Sequence, residues 1–155
     1  MLKSGDTAPP FDLPAGDGGS VSLSALLERG PAVLYFYPAD FTPGCTAQAC
    51  MVRDLHGELV AAGVRIVGIS PQPPESHKKF AEKFSLPFTL LCDRDKTTAK
   101  AYGVNGPFGI GVRRATFLIS TEGVIEDAVL ADLNIGRHKA FLNAAARGAG
   151  STQNE

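Results

Sequence analysis

The chain has 155 residues, with 15 Lys and Arg against 16 Asp and Glu, for a net charge of −1. Such a length suits one domain with a sizeable core, and the charge balance excludes a surface built for nucleic acid or acidic membranes. Three cysteines are too few for a disulfide scaffold; an odd number without a signal sequence points to a reducing, cytoplasmic setting in which thiols are buried, reactive or metal-bound.

The opening, MLKSGDTAPPFDLPAG, lacks the apolar core of a secretory signal. PPFDL and VSLSALL flank the turn-forming AGDGGS at 15–20, which predicts a small N-terminal β-hairpin and then a short helix. Pro31 to Tyr37, PAVLYFY, is a continuous apolar run and reads as a buried strand. Its apolar core, Ala32 to Tyr37, is the longest such stretch and far too short to cross a bilayer. Cys45 to Ala62 has helical spacing, with Ala49, Val52, Leu55, Leu59 and Val60 as the apolar stripe and Gly63 as the cap. Val64 to Ser70 is a second buried strand, Pro73 to Phe84 an amphipathic helix opened by prolines, and Phe88 to Cys92 a third strand. Thr97 to Tyr102 forms a short helix ended by Gly103. RATFLIS and VIEDAVL, joined at 121–123, read as an antiparallel hairpin, and Arg137 to Gly148 as a closing helix. Strands alternating with helices indicate an α/β sandwich, and the late hairpin makes its sheet mixed. Residues 1–148 form one domain, and 149–155, small and polar, a flexible tail.

In such a sheet, ligands gather beyond the carboxyl ends of strands. PADFTPGC, Pro38 to Cys45, follows the first buried strand directly. It brings Cys45 to a helix start, as first or second residue, where unpaired N–H groups and the positive end of the dipole stabilise an anion such as a thiolate. Pro43 and Gly44 let the loop press on the sulfur, and the Thr42 hydroxyl can donate or accept. This set suits nucleophilic attack on a small polar substrate. Cys50 follows five residues after Cys45. In an intact helix that spacing separates Cα atoms by about 8.7 Å, beyond the ~6.8 Å reach of a disulfide. The two thiols are therefore either unrelated or belong to an enzyme that unwinds its helix.

PADFTPGC fits P-x-x-x-T-x-x-C and resembles the active-site motif of peroxiredoxins. TPGCTAQAC resembles the Q subgroup, the bacterioferritin comigratory proteins, in which a second Cys follows five residues on. GDTAPPFDL, SHKKFAEKFSLPFTLLCD, and AYGV followed by RATFLIS match further family segments in the right order, so the resemblance covers nearly the whole chain. It implies a thioredoxin-like fold and an atypical two-cysteine peroxidase without metal or cofactor. By this resemblance Cys45 is the peroxidatic nucleophile and Cys50 the resolving thiol that forms an intramolecular disulfide with it. Thr42 hydrogen-bonds the peroxide, Arg114 stabilises the thiolate and the departing oxygen, and Pro38 and Pro43 shape the pocket. The implied substrates are hydrogen peroxide and organic hydroperoxides. The implied partner is thioredoxin or a glutaredoxin-like reductant, and the implied state a monomer, with a weak dimer as the alternative. The sequence departs from the family at Ser120, where Asp is usual, at Cys92, where Ser is common, and in SPQPP after the second strand.

The remaining candidates read more plainly. Cys92 ends an apolar run and reads as a buried structural thiol. Arg113 and Arg114 face opposite ways on a strand; the family match selects Arg114. Gln48, near one turn from Cys45, is within reach of that arginine or is a plain helix residue. Asp40 reads as a turn residue. His56, His77 and His138 have no ligand spacing and read as solvated. Other functions remain open on the residues alone. A disulfide oxidoreductase is disfavoured because it would carry C-x-x-C. A redox sensor would use helix melting to signal to a partner. A metal module lacks ligands at useful spacing.

Overall fold

The computed structural model describes residues 1–153, with side chains to 148, so the expected tail at 149–155 lies outside the residues described in full. The elements are β1 (Asp12–Pro14), β2 (Ser20–Ser22), α1 (Leu23–Leu27), β3 (Ala32–Phe36), α2 (Pro43–Ala61), β4 (Arg65–Ser70) and α3 (Pro74–Phe84). There follow β5 (Thr89–Cys92), α4 (Thr97–Ala101), a 3-10 turn at Pro107–Gly109, β6 (Ala115–Ile119), β7 (Ile125–Leu130) and α5 (Ile135–Gln153). β1 and β2 form the expected antiparallel hairpin. The other five strands form one mixed sheet in the order β5-β4-β3-β6-β7. β3, β4 and β5 run parallel, and β6 and β7 are antiparallel additions.

The apolar run of β3 has a simple cause: the strand is central and covered on both faces. Leu34 and Phe36 enter one core with Ile69, Leu91, Tyr102 and Phe117, closed by the N-terminal hairpin, α1 and α4. Val33, Tyr35 and Tyr37 alternate into the other, against α2, α3 and α5. Gly68 on β4 belongs to this second layer. A Cβ there would stand 2.7 Å from the Tyr35 ring and 2.8 Å from its hydroxyl, so glycine makes room for the tyrosine beside it. α2 starts at Pro43, earlier than its apolar stripe suggests, with Thr42 as N-cap. Proline is favoured at a first helical position, where its missing N–H would go unpaired in any case. Cys45 is thus the third helical residue rather than the first or second.

Two histidines expected in solvent are buried. His77 and His138 are both fully inaccessible. The His138 Nε2–H donates to the Ala131 carbonyl at 2.9 Å. That leaves Nδ1 to accept from the Thr116 hydroxyl at 2.8 Å. The ring therefore ties α5 to β6, and burial pushes its pKa below the ordinary value. No helix among the described residues is long and apolar enough to cross a membrane.

Candidate active site

The connection from β3 to α2 is short and held at several points. Tyr37 extends the ladder, its N–H donating to the Ile69 carbonyl at 3.1 Å. Pro38 is exposed at the mouth of the loop. Phe41 takes a left-handed conformation (φ 65°) and packs edge-on against Phe80 of α3, ring centroids 5.1 Å apart. Between them Asp40 turns inward; only 5% of it is exposed. It is no plain turn residue, because Tyr37, Ser76 and His77 all donate to its carboxylate.

Thr42 is exposed. Its hydroxyl donates to the Ala39 carbonyl at 3.3 Å and makes no capping bond, so its lone pairs are open to a donor. One turn in, Cys45 is 2% exposed and packs with Ala49, Val52 and Tyr35. Its sulfur receives a hydrogen bond from Arg114 Nη2 at 3.5 Å.

Strand register brings these two residues together across 69 positions of sequence. β6 pairs antiparallel with β3 such that Ala115 lies opposite Phe36. Arg114, just before β6, therefore arrives at the carboxyl end of β3, where α2 begins. Its guanidinium is fixed on every side. Nη1 donates to Gln48 Oε1 at 2.6 Å and Nε to the Asp132 carbonyl at 3.1 Å, and the Arg114 backbone N–H donates to Asp132 Oδ1 at 3.1 Å. A Cβ on Gly44 would lie 3.0 Å from Nη2, so the glycine of TPGC leaves room for the arginine over the helix start. Arg113 points away and meets the Asp132 carboxylate at 2.8 Å on the surface. Hydrogen bonding to Arg113 is the main reason that the Asp132 pKa lies below the ordinary carboxylate value.

Two tyrosines share the buried layer of Cys45. Tyr35 and Tyr37 stack at 5.3 Å. Burial pushes both phenols well above their ordinary range; next come charge at Cys45 and Asp40 for Tyr35, and Tyr35 and Asp40 for Tyr37. Among the described residues, two buried side-chain atoms have no protein partner, the Tyr35 hydroxyl and Gln48 Nε2. Gln48 uses its oxygen for Arg114, and the Tyr35 hydroxyl lies over Gly68 of β4.

Cys50 is half-buried on the same helix, which is unbroken from Pro43 to Ala61. All three cysteines are free. Cys92 ends β5, separated from β3 by β4, and is buried. The structure thus gathers Cys45, Arg114, Gln48 and Thr42 at one helix start, with Pro38 at the loop mouth and Cys50 further along α2. Sequence reasoning missed Asp132 and the group around Asp40. Nothing in the local pattern marks Asp132.

Comparison with known proteins gives one answer. Residues 4–128 match the AhpC/TSA family model. A putative peroxiredoxin bcp of Coxiella burnetii is 43% identical over 145 residues, which span 90% of this chain and 95% of that protein. The crystal structure of peroxidoxin BcpB from Mycobacterium tuberculosis superposes with a TM-score of 0.89 at 39% identity, covering 96% of this chain and 98% of that one. The bacterioferritin comigratory protein of Xanthomonas campestris, whose structures were solved to explain its alkyl peroxide reduction, superposes with a TM-score of 0.82 at 32% identity, over 90% and 92% of the two chains.

Proposed function

The chain belongs to the AhpC/TSA family and is a thiol-dependent peroxidase of the Bcp/Q peroxiredoxin type, and we propose that its cycle runs through Cys45 and Cys50. The observation that carries this reading is the Arg114 guanidinium against the Cys45 sulfur at the start of α2.

In the proposed cycle the Cys45 thiolate attacks the distal oxygen of the peroxide. The S–O bond forms as the O–O bond breaks, giving Cys45 sulfenic acid and an alkoxide or hydroxide that takes up a proton and leaves as alcohol or water. Arg114 faces both the thiolate and the charge that develops on the departing oxygen, and a fixed cation in a buried site is most effective at such a point. The Thr42 hydroxyl orients the peroxide, and Pro38 limits water at the mouth of the loop. The Cys50 thiol then displaces water from the sulfenic acid to form the disulfide. A dithiol protein of thioredoxin or glutaredoxin type restores both thiols by exchange. We place this cycle in the cytoplasm, with a monomer as the working unit, on hydrogen peroxide and organic hydroperoxides.

The second step requires α2 to open, and the packing limits how far. Opening the first turns breaks the Arg114–Gln48 hydrogen bond, a charge-assisted contact worth about 1.5–3 kcal/mol, and uncovers Cys45 and Ala49. Val52 and Leu59, 1% and 0% exposed, hold the rest of the helix in the core. Melting that stops before Val52 frees both thiols at the least cost, and helix ends are among the cheapest segments to open.

Cys50→Ser tests the assignment. One equivalent of peroxide should leave a persistent sulfenic acid on Cys45, trapped by a 1,3-dione probe, and turnover should then need an added small thiol. Unaltered turnover with the protein reductant alone would remove Cys50 from the cycle.

A further inference from the structure

We propose that Asp40 and His77 are positioning residues for the reaction at Cys45. With Tyr37 and Ser76 they form a buried clamp that fixes the active-site loop on α3 and β5. The proposal rests on the reading of Cys45 above.

The clamp is built around one carboxylate. Asp40 Oδ1 accepts from the Tyr37 hydroxyl at 2.7 Å. Oδ2 accepts from the Ser76 hydroxyl at 2.7 Å and from His77 Nδ1–H at 2.8 Å. The other ring nitrogen, Nε2–H, donates to the Leu91 carbonyl of β5 at 3.0 Å. The ring thus spans two acceptors, the Asp40 carboxylate and the Leu91 carbonyl, with the Tyr37 hydroxyl a further 3.3 Å from Nδ1. Both side chains are fully buried. Burial alone would raise the Asp40 pKa, but the hydrogen bonds from His77 and Tyr37 hold it below its ordinary value.

Stability alone is a poor reason for such a group. Apolar residues of similar volume often serve a core as well as buried polar groups do. What the hydrogen bonds add here is direction. Three segments meet at one carboxylate, the end of β3 through Tyr37, the loop itself and α3 through Ser76 and His77, and His77 extends the hold to β5 through the Leu91 carbonyl. Asp40 lies two residues before Thr42 and five before Cys45, with the left-handed Phe41 between. The start of α2 is thus held from both sides, by Asp40 upstream and by Arg114 on Gln48 downstream. Opening α2 breaks the second hold and leaves the first, so the clamp returns Thr42 and Cys45 to the same place after each turnover.

Two substitutions at His77 separate its bonds. In His77→Asn the amide N–H can replace Nδ1–H toward Asp40; in His77→Gln it reaches instead for the Leu91 carbonyl. Rapid mixing with peroxide, per mole of folded protein, should give sulfenic acid formation within about 3-fold of the wild type for His77→Asn. For His77→Gln it should be slower by roughly 10- to 100-fold, as expected when reacting groups are misplaced by an ångström. The later disulfide step should change by only a few-fold in both. Equal rates of sulfenic acid formation in the two variants would overturn the clamp, because a merely structural histidine affects the folded fraction and not the first chemical step. Should neither variant fold, Ser76→Ala removes one donor at little packing cost. It should slow the first step by about 3- to 10-fold per mole of folded protein, and a wild-type rate would overturn the proposal. Cys45→Ser in the same series isolates the underlying reading: persistent turnover there would defeat the assignment of Cys45, whatever the His77 variants do.

Discussion

Cys45→Ser is expected to remove peroxide turnover, by about 10³-fold or more, as losses of a sole nucleophile generally do. Serine is close in size to cysteine, so packing against Ala49 and Val52 is nearly kept. The lost quantity is chemical. A hydroxyl at this helix start stays protonated and cannot attack the O–O bond, whereas a thiol becomes an effective nucleophile on losing its proton. Cys92→Ser provides the internal comparison. Cys92 lies at the end of β5, two strands from β3 in the sheet order, and its replacement should retain most of the activity. Peroxide consumption coupled to a dithiol reductant measures both. Full turnover in the Cys45 variant would place the nucleophile elsewhere.

Arg114→Ala should lower the rate of sulfenic acid formation by about 10²- to 10³-fold, the usual effect of removing one preorganised charge-stabilising donor. Arg113→Ala should change it by a few-fold at most. The two residues are adjacent, yet only Arg114 touches the sulfur. Arg113 spends its charge on Asp132 at the surface, where ion pairs contribute little. Arg114→Lys should recover only part of the loss, since one ammonium lacks the planar fork that reaches Gln48 and Cys45 at once. Thermal melts of each variant separate chemistry from folding, because Arg114→Ala also leaves Gln48 Oε1 without its donor. Greater damage from Arg113→Ala would contradict the arrangement around Cys45.

Much of this arrangement is legible in the sequence because each piece is local. The apolar run at 32–37 declares a buried strand through composition, and the hairpin at 115–130 declares its strands through the turn between them. The distance argument for Cys45 and Cys50 follows from helix geometry alone. The burial of the two histidines follows a helical period. His77 shares the apolar stripe of α3 with Phe80, Ala81 and Phe84, and His138 that of α5 with Phe141, Leu142 and Ala145. That period, rather than any ligand spacing, places both inside. Asp40 was read as a turn residue because its partners lie 36 and 37 positions away on another helix. Asp132 was invisible for the same reason: it meets Arg113 and Arg114 only after β6 and β7 pair. Long-range polar contacts leave no local pattern, whereas apolar periodicity does.

The proposed cycle turns on one event, the opening of the start of α2 so that Cys50 can reach Cys45. Amide hydrogen exchange on the reduced protein and on protein treated with one equivalent of peroxide tests it directly, with mass spectrometry of the same samples to confirm which cysteines are joined. The cycle predicts a Cys45–Cys50 link with Cys92 free. Protection should be lost over residues 46–55 in the oxidised form, because these amides bond to carbonyls at 42–51 that the opening removes or displaces, and retained from His56 to Leu59. Equal protection across 46–55 in both states, or a link between Cys45 and any thiol other than Cys50, would contradict this cycle.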